Sequence, residues 1–171
     1  MQTLIICGHP HLDQSNANRA ILAETARLLP GVEIRELGNL YPDGRIDVAA
    51  EQAALTRTDT VVLQFPIYWY GAPALLKQWI DDVFTYGFAY GSTGKALHGK
   101  RLILSFTFGA GEDDYSGADN FSAEDFLPPF RATSDLCGFD WQPPVMSYAM
   151  MNPDAAKVAD HAARLVAQVK N

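Results

Sequence analysis

The chain has 171 residues, which is room for a single domain over residues 1–171 and little more. Hydrophobic residues make up 48% and charged residues 19%, a globular mix, and an aromatic content of 11% argues against disorder. The formal charge of −7, with 13 scattered Lys and Arg, argues against a nucleic-acid partner, because neutralising phosphates takes clustered cations.

Short apolar runs alternate with amphipathic stretches. Thr3-Leu4-Ile5-Ile6-Cys7 is a continuous apolar run ended by Gly8, which reads as a strand covered on both faces. No basic leader or cleavage site precedes it, and no run reaches the roughly 18 to 20 apolar residues of a membrane span, so a cytoplasmic location is expected. Residues 15–29 read as a helix, with Ile21, Leu22, Thr25, Leu28 and Leu29 on one face and Pro30-Gly31 as its stop. Residues 32–37 make a weaker strand, since Glu33 and Arg35 alternate with apolar neighbours, and this suggests a more exposed position in the sheet. Turn material over 39–44 and an Ala-rich helix over 47–56 lead to a third strand over 60–65. Pro73 then opens a helix whose Leu75, Leu76, Trp79, Ile80, Val83 and Phe84 form a broad apolar face.

A Gly-punctuated excursion over 87–99 precedes the fourth strand, 101–106. After it come a loop over 107–120, a helix over 123–136, and a fifth strand over 140–145 interrupted at its end by Pro143-Pro144. The last helix is expected to start at Asn152-Pro153-Asp154, a cap followed by a first-turn proline. Cys7 and Cys137 lie inside apolar segments and read as reduced core thiols. Strands alternating with helices predict an α/β fold with a parallel sheet and helices on both faces. Ligands of such sheets bind beyond the carboxyl ends of the strands, at the switch in strand order.

Three loops fall at that end. The first, from Gly8 through His9, Pro10 and His11 to Asn18, lacks both G-x-G-x-x-G and the P-loop pattern. It offers Ser15, Asn16, Ala17 and Asn18 at a helix start, where free N–H groups and the helix dipole suit a phosphate. Ser15 reads equally well as a plain helix cap. His9 and His11 have no carboxylate or cysteine cluster at ligand spacing, so no metal is expected. His9 reads either as a neighbour of the phosphate or as a surface turn histidine.

The second loop, Phe65-Pro66-Ile67-Tyr68-Trp69-Tyr70-Gly71, sets three aromatics after a central strand. They suit the walls of a flat ring system, or else core packing or a dimer contact. The third, Thr107-Phe108-Gly109-Ala110-Gly111, puts small residues after strand four, so that backbone amides can meet a ring edge gaining negative charge, or simply turn the chain. Residues 91–96 approach a P-loop but carry Ala96 where its Ser or Thr belongs, and no Ser-His-Asp or Cys-His arrangement supports hydrolysis.

These loops resemble the NAD(P)H:quinone oxidoreductases, especially a short bacterial branch that includes the ancillary flavoprotein of glutathione-gated potassium-efflux systems. The likeness runs from Leu4 to about Val145. It is carried by Gly8-His9-Pro10 with Ser15-Asn16-Ala17-Asn18, Leu40-Tyr41-Pro42-Asp43, Phe65-Pro66-Ile67-Tyr68-Trp69-Tyr70, Pro73 to Asp81, Ala89-Tyr90-Gly91 and Leu97-His98-Gly99-Lys100. The resemblance implies a flavodoxin-like, five-stranded fold, a flavin and a homodimer with the flavins near its interface. By position, His9, Ser15, Asn16, Ala17 and Asn18 would hold the flavin phosphate and ribityl chain. Pro66, Ile67, Tyr68, Trp69 and Tyr70 would line the ring, and Thr107, Phe108, Gly109 and Ala110 would meet its pyrimidine edge. Tyr115 matches a tyrosine the family uses in catalysis.

Because the longer relatives that carry FAD have a C-terminal extension, FMN is expected, with FAD the alternative. NADH or NADPH is the expected donor and a quinone the expected acceptor. Two departures stand out. Phe108 replaces a threonine of the usual Thr-Thr-Gly-Gly run, and Phe121 stands where some relatives carry a histidine, so a tyrosine–histidine proton relay does not carry over whole. The competing reading is a regulatory subunit of a potassium-efflux antiporter, placed at the inner face of the membrane. A one-electron carrier of the flavodoxin kind fits less well, because the first loop lacks a Thr/Ser-rich phosphate loop.

Overall fold

The apolar runs form the sheet. The computed structural model describes residues 2–116 and 121–171, so the loop expected over 107–120 is described as far as Ser116. Strands β1 (Thr3–Cys7), β3 (Thr60–Pro66) and β4 (Arg101–Thr107) lie in the middle, parallel and almost wholly buried. β2 (Glu33–Glu36) pairs with β1 at one edge, where its Glu and Arg side chains stay half-exposed. The order β2-β1-β3-β4-β5 is that of a flavodoxin-like sheet, with the switch between β1 and β3.

Alternation along the central strands sorts the core into two layers. Leu4, Ile6, Val61, Leu63, Leu102 and Leu104 face one side with α3 (Val48–Thr56), α4 (Ala74–Val83) and α5 (Pro128–Cys137). Ile5, Cys7, Val62 and Ile103 face the other, under α1 (Ala17–Leu28) and α6 (Ala155–Lys170). Burial holds the Cys7 thiol up at about 12 and Cys137 at about 11, so both are inert neutral core groups. Among the described residues no helix is long and apolar enough to cross a membrane.

One buried polar cluster explains the Leu-Tyr-Pro-Asp segment. Glu51 of α3 is fully buried and accepts from Arg35 Nε at 2.7 Å, the Tyr41 hydroxyl at 2.5 Å and Trp79 Nε1 at 2.9 Å. It ties β2, the short helix α2 (Leu37–Leu40), α3 and α4 together around one carboxylate.

The structure corrects four boundaries. Leu37–Leu40 is helical, although a turn was expected over 39–44. The helix expected over 123–136 is a 3-10 turn, Ala123–Phe126, followed by α5, which restarts at Pro128-Pro129 because two successive prolines fit only a first helical turn. The fifth strand is split rather than interrupted at its end. β5 (Asp140–Trp141) and β6 (Val145–Ser147) both pair with β4, on either side of Pro143-Pro144, which cannot donate to a ladder. The cap of α6 is Asp154, accepting from Lys157 N at 2.8 Å, which frees Asn152 for another contact.

Candidate functional site

A cleft of about 550 Å³ opens at the carboxyl ends of β1, β3 and β4, across the switch point. Each of the three expected loops contributes to its wall. From the first come His9, Ser15, Asn16, Ala17 and Asn18; from the second, Pro66, Ile67 and Tyr68; from the third, Thr107, Phe108 and Gly109.

At the first loop the cap reading of Ser15 holds. Its hydroxyl oxygen accepts from Asn18 N–H at 3.0 Å and so caps α1, yet the residue also lines the cleft. No described residue accepts from the N–H groups of Asn16 and Ala17, so two donors at the positive end of α1 face the cleft unclaimed. His9 Nδ1 accepts from His11 N–H at 3.1 Å, which puts the ring proton on Nε2, 3.4 Å from the Tyr68 hydroxyl. Burial first, then the neighbouring His11, holds the His9 pKa below its ordinary value, against a weaker pull from Asp13, so His9 is a neutral donor at neutral pH.

The second loop ends in a tight hairpin. Tyr68 N–H donates to Gly71 O at 3.0 Å and Gly71 N–H to Tyr68 O at 3.1 Å, with φ of 47° at Trp69 and 65° at Tyr70. Two successive left-handed residues are the pattern of a type I′ turn, which favours Asn-Gly, not two aromatics. Trp69 is 93% exposed. Tyr70 lies against Phe126, with ring centroids 5.5 Å apart. Neither ring is in the cleft wall; both project beyond Tyr68 from the same turn.

The third loop is stitched to the segment after β6. Phe108 N–H donates to Ser147 O at 2.8 Å, Met150 N–H to Phe108 O at 2.9 Å and Ala149 N–H to Ala110 O at 2.6 Å. No described residue accepts from the N–H groups of Gly109 and Ala110. The Phe108 ring does not fill the cleft: it is fully buried, stacked on Tyr148 at 4.8 Å and tilted against Tyr115 at 4.4 Å. Tyr115 therefore belongs to an aromatic group behind the wall, and Ala110 too lies outside the lining. Burial, then Tyr70 and Asp114, raises the Tyr115 pKa, so its phenol keeps its proton.

The structure adds His11, Gln14, Met150, Met151 and Asn152 to the cleft. Asn152 Oδ1 accepts from Asn16 Nδ2 at 3.0 Å and closes one side. The Asn-Pro-Asp sequence hid this contact, because it reads first as a helix cap.

A family model described as flavodoxin-like fold matches residues 1–169. Three solved structures superpose on nearly the whole chain. One is described as a thermophilic tryptophan halogenase from Streptomycin violaceusniger, at a TM-score of 0.90 and 38% identity over 98% of this chain and 98% of that one. Another is general stress protein 14 from Treponema denticola in complex with FMN, at 0.89 and 39%, covering 99% and 98%. The third is an NADPH-quinone reductase from P. pentosaceus, at 0.84 and 30%, covering 96% and 95%. These names differ in activity; the fold is what they have in common with this chain.

Proposed function

The chain belongs to the flavodoxin-like fold family, and from that premise we propose that it is an FMN-dependent NAD(P)H:quinone oxidoreductase. The observation that carries this reading is the cleft itself. It has unclaimed helix-start amides at Asn16 and Ala17, apolar walls at Pro66 and Ile67, and unclaimed amides at Gly109 and Ala110 beside it. That layout suits a ligand with an anionic end and a flat, electron-accepting end, and the Treponema denticola neighbour was solved with FMN.

A bound flavin would supply the two-electron chemistry, from a nicotinamide to a quinone-like acceptor. The chain's residues bind and orient. Ser15 Oγ already accepts from Asn18, so its own proton is available to a phosphate oxygen, alongside the two free amides. Neutral His9 adds an Nε2–H donor at the same end. The unclaimed Gly109 amide in the wall, with that of Ala110 beside it, would meet negative charge at a ring edge. Tyr115, behind the wall against Phe108, keeps its phenol proton and would give it to an oxygen gaining charge only where the ligand reaches past that wall. One open face shared in turn by donor and acceptor implies ping-pong kinetics.

Tyr68, Trp69, Tyr70 and Phe121, 43%, 93%, 59% and 69% exposed, leave more aromatic surface near the cleft than a monomer keeps, which supports a homodimer closing over it. An absorbance spectrum of the purified protein, followed by anaerobic NADH and NADPH titration and light scattering, tests the proposal. A flavin spectrum bleached by a nicotinamide in a particle of twice the 18.8 kDa chain mass is expected. Protein that neither retains nor takes up FMN overturns it.

A further inference from the structure

Behind the cleft runs a continuous chain of polar side chains, exposed at one end and buried from His161 onward, that the reading above does not use. It starts on α6, where Arg164 Nη2 donates to Ser147 Oγ at 2.8 Å while its Nε holds Asp160. Ser147 Oγ lies 2.8 Å from His161 Nδ1, and His161 Nε2 lies 2.8 Å from Ser105 Oγ. Ser105 donates to Gln64 Oε1 at 2.5 Å, Gln64 Nε2 donates to Asn18 Oδ1 at 2.7 Å, and Asn18 Nδ2 donates to Thr107 Oγ1 at 3.2 Å. His161, Gln64 and Ser105 are fully buried, and Asn18 and Thr107 are part of the cleft wall.

Counting protons favours one direction along the chain. Ser105 has a single hydroxyl proton and spends it on Gln64, so it must accept from His161 Nε2–H. His161 Nδ1 is then bare and accepts the Ser147 proton, and Ser147 in turn accepts from Arg164. Each link is a donor toward the cleft, and at the end Thr107, already accepting from Asn18, has its own proton left to give. The reverse chain, with every amide flipped, would have Ser147 accept from both His161 and Arg164 and give its own proton to solvent, and would turn the Thr107 proton back onto Asn18. With Arg164 a pure donor, the forward direction is the one in which each relay proton as far as Thr107 has a side-chain acceptor, and the His161 tautomer decides between the two. Hydrogen bonds aligned head to tail in a dry interior polarise one another.

We propose that His161, acting through Ser105, Gln64 and Asn18, is a positioning residue that locks Thr107 as a hydrogen-bond donor to an electron-rich ligand in the cleft. This rests on the flavin reading for the ligand's identity but not for the direction of the chain. Burial keeps His161 neutral, with its pKa down at about 4, as a single-tautomer link requires.

Two measurements test it. Side-chain 15N NMR of the flavin-free protein should report the Nε2–H tautomer at His161; the Nδ1–H tautomer would reverse the chain and overturn the proposal whatever the ligand. The second is a double-mutant cycle read as FMN affinity by fluorescence quenching. Thr107→Val alone should weaken FMN by roughly tenfold and Ser147→Ala alone by roughly threefold, since hydrogen bonds of this kind are worth about that much. In the Thr107→Val background, Ser147→Ala should change nothing further, because the relay no longer has an end to act on. A merely structural Ser147 would cost the same in both backgrounds, and additivity of that kind overturns the proposal. Ser147 is half-exposed, so this variant spares the core; His161→Phe is the stronger perturbation, expected to show the same non-additivity. If the unmodified protein takes up no FMN, the flavin reading fails while the tautomer measurement still decides the relay.

Discussion

Trp69→Asn should make the protein more stable and less active. Trp69 holds φ of 47° with 93% of its surface in solvent, so the folded chain gains almost nothing from burying the ring. A left-handed conformation costs an ordinary L-residue about 1–2 kcal/mol, and asparagine, whose short side chain bonds locally, escapes much of that. Relief of about 0.5–1 kcal/mol is expected, and in a domain of this size it should raise the melting temperature of the flavin-free protein by roughly 1–4 °C. The same change removes an exposed indole from the turn that begins at Tyr68 of the cleft wall. Quinone turnover at subsaturating acceptor should fall by roughly tenfold, the scale of one lost aromatic contact of about 1.4 kcal/mol. Thermal unfolding of the flavin-free protein, with steady-state kinetics on protein of matched flavin content, reads both effects. A lower melting temperature would show that the turn is not strained and that the indole is structural. A raised melting temperature with unchanged kinetics would refute the functional half, leaving the aromatic turn without a part in the reaction.

Ser15→Asp keeps a cap-competent oxygen for Asn18 N–H but sets a carboxylate at the helix start, so FMN retention should collapse while the flavin-free protein melts unchanged; full flavin content on purification would move the phosphate elsewhere. Glu51→Gln leaves Arg35, Tyr41 and Trp79 around a neutral amide, and a loss of about 3 kcal/mol in urea unfolding is expected; a loss under about 1 kcal/mol would mean the cluster is solvated. Tyr115→Phe retains the ring against Phe108 and deletes only the hydroxyl, so stopped-flow measurement of both half-reactions should show one slowed by roughly tenfold; no change in either makes Tyr115 a packing residue. Acid should expose His161. Its pKa is depressed from 6.5 to about 4, mainly by burial and then by Arg164, so the stability of its neutral form is intact above 6.5 and drains away as pH falls toward 4. His161→Phe should flatten the stability profile in that window by roughly 3 kcal/mol, and an unchanged profile would mean that His161 is charged or solvated in the fold.

The sheet was legible because its central strands are nearly pure apolar runs, and a run such as Leu4-Ile5-Ile6-Cys7 fits only a strand with helices on both sides. The wall contributed by the three loops was legible for a related reason: in a parallel sheet the residues just past the carboxyl ends have nowhere else to go. The fourth side was not. Met150, Met151 and Asn152 reach the cleft only because the split fifth strand continues past Pro143-Pro144 to Ser147, and proline is a strong local signal for stopping a strand. Nor was the relay legible. Asn18, Gln64, Ser105 and His161 lie scattered across the sequence, and each alone reads as a polar interruption in an apolar segment. Only the register of β3 against β4, which sets Gln64 beside Ser105, and the packing of α6 bring them together.

Local rules break in this molecule where the cleft is built. Among the described residues, three non-glycine residues take a positive φ: Trp69 and Tyr70 after β3, and Ala149, at 56°, after β6. Such conformations persist only where the surroundings over-determine them. For the aromatic pair, the two Tyr68–Gly71 hydrogen bonds close the turn. For Ala149, its own N–H to Ala110 and that of Met150 to Phe108 fix the bend that carries Met150–Asn152 onto the cleft. The buried polar chain ends at the same wall, as do the unclaimed donors at Asn16 and Ala17. Strain, buried polarity and unsatisfied amides each cost folding energy, and a chain free to optimise stability alone would have Asn-Gly at 69–70, glycine at 149 and aliphatic side chains at 64 and 105. Their convergence on one end of the sheet is the pattern expected where stability has been traded for a binding site.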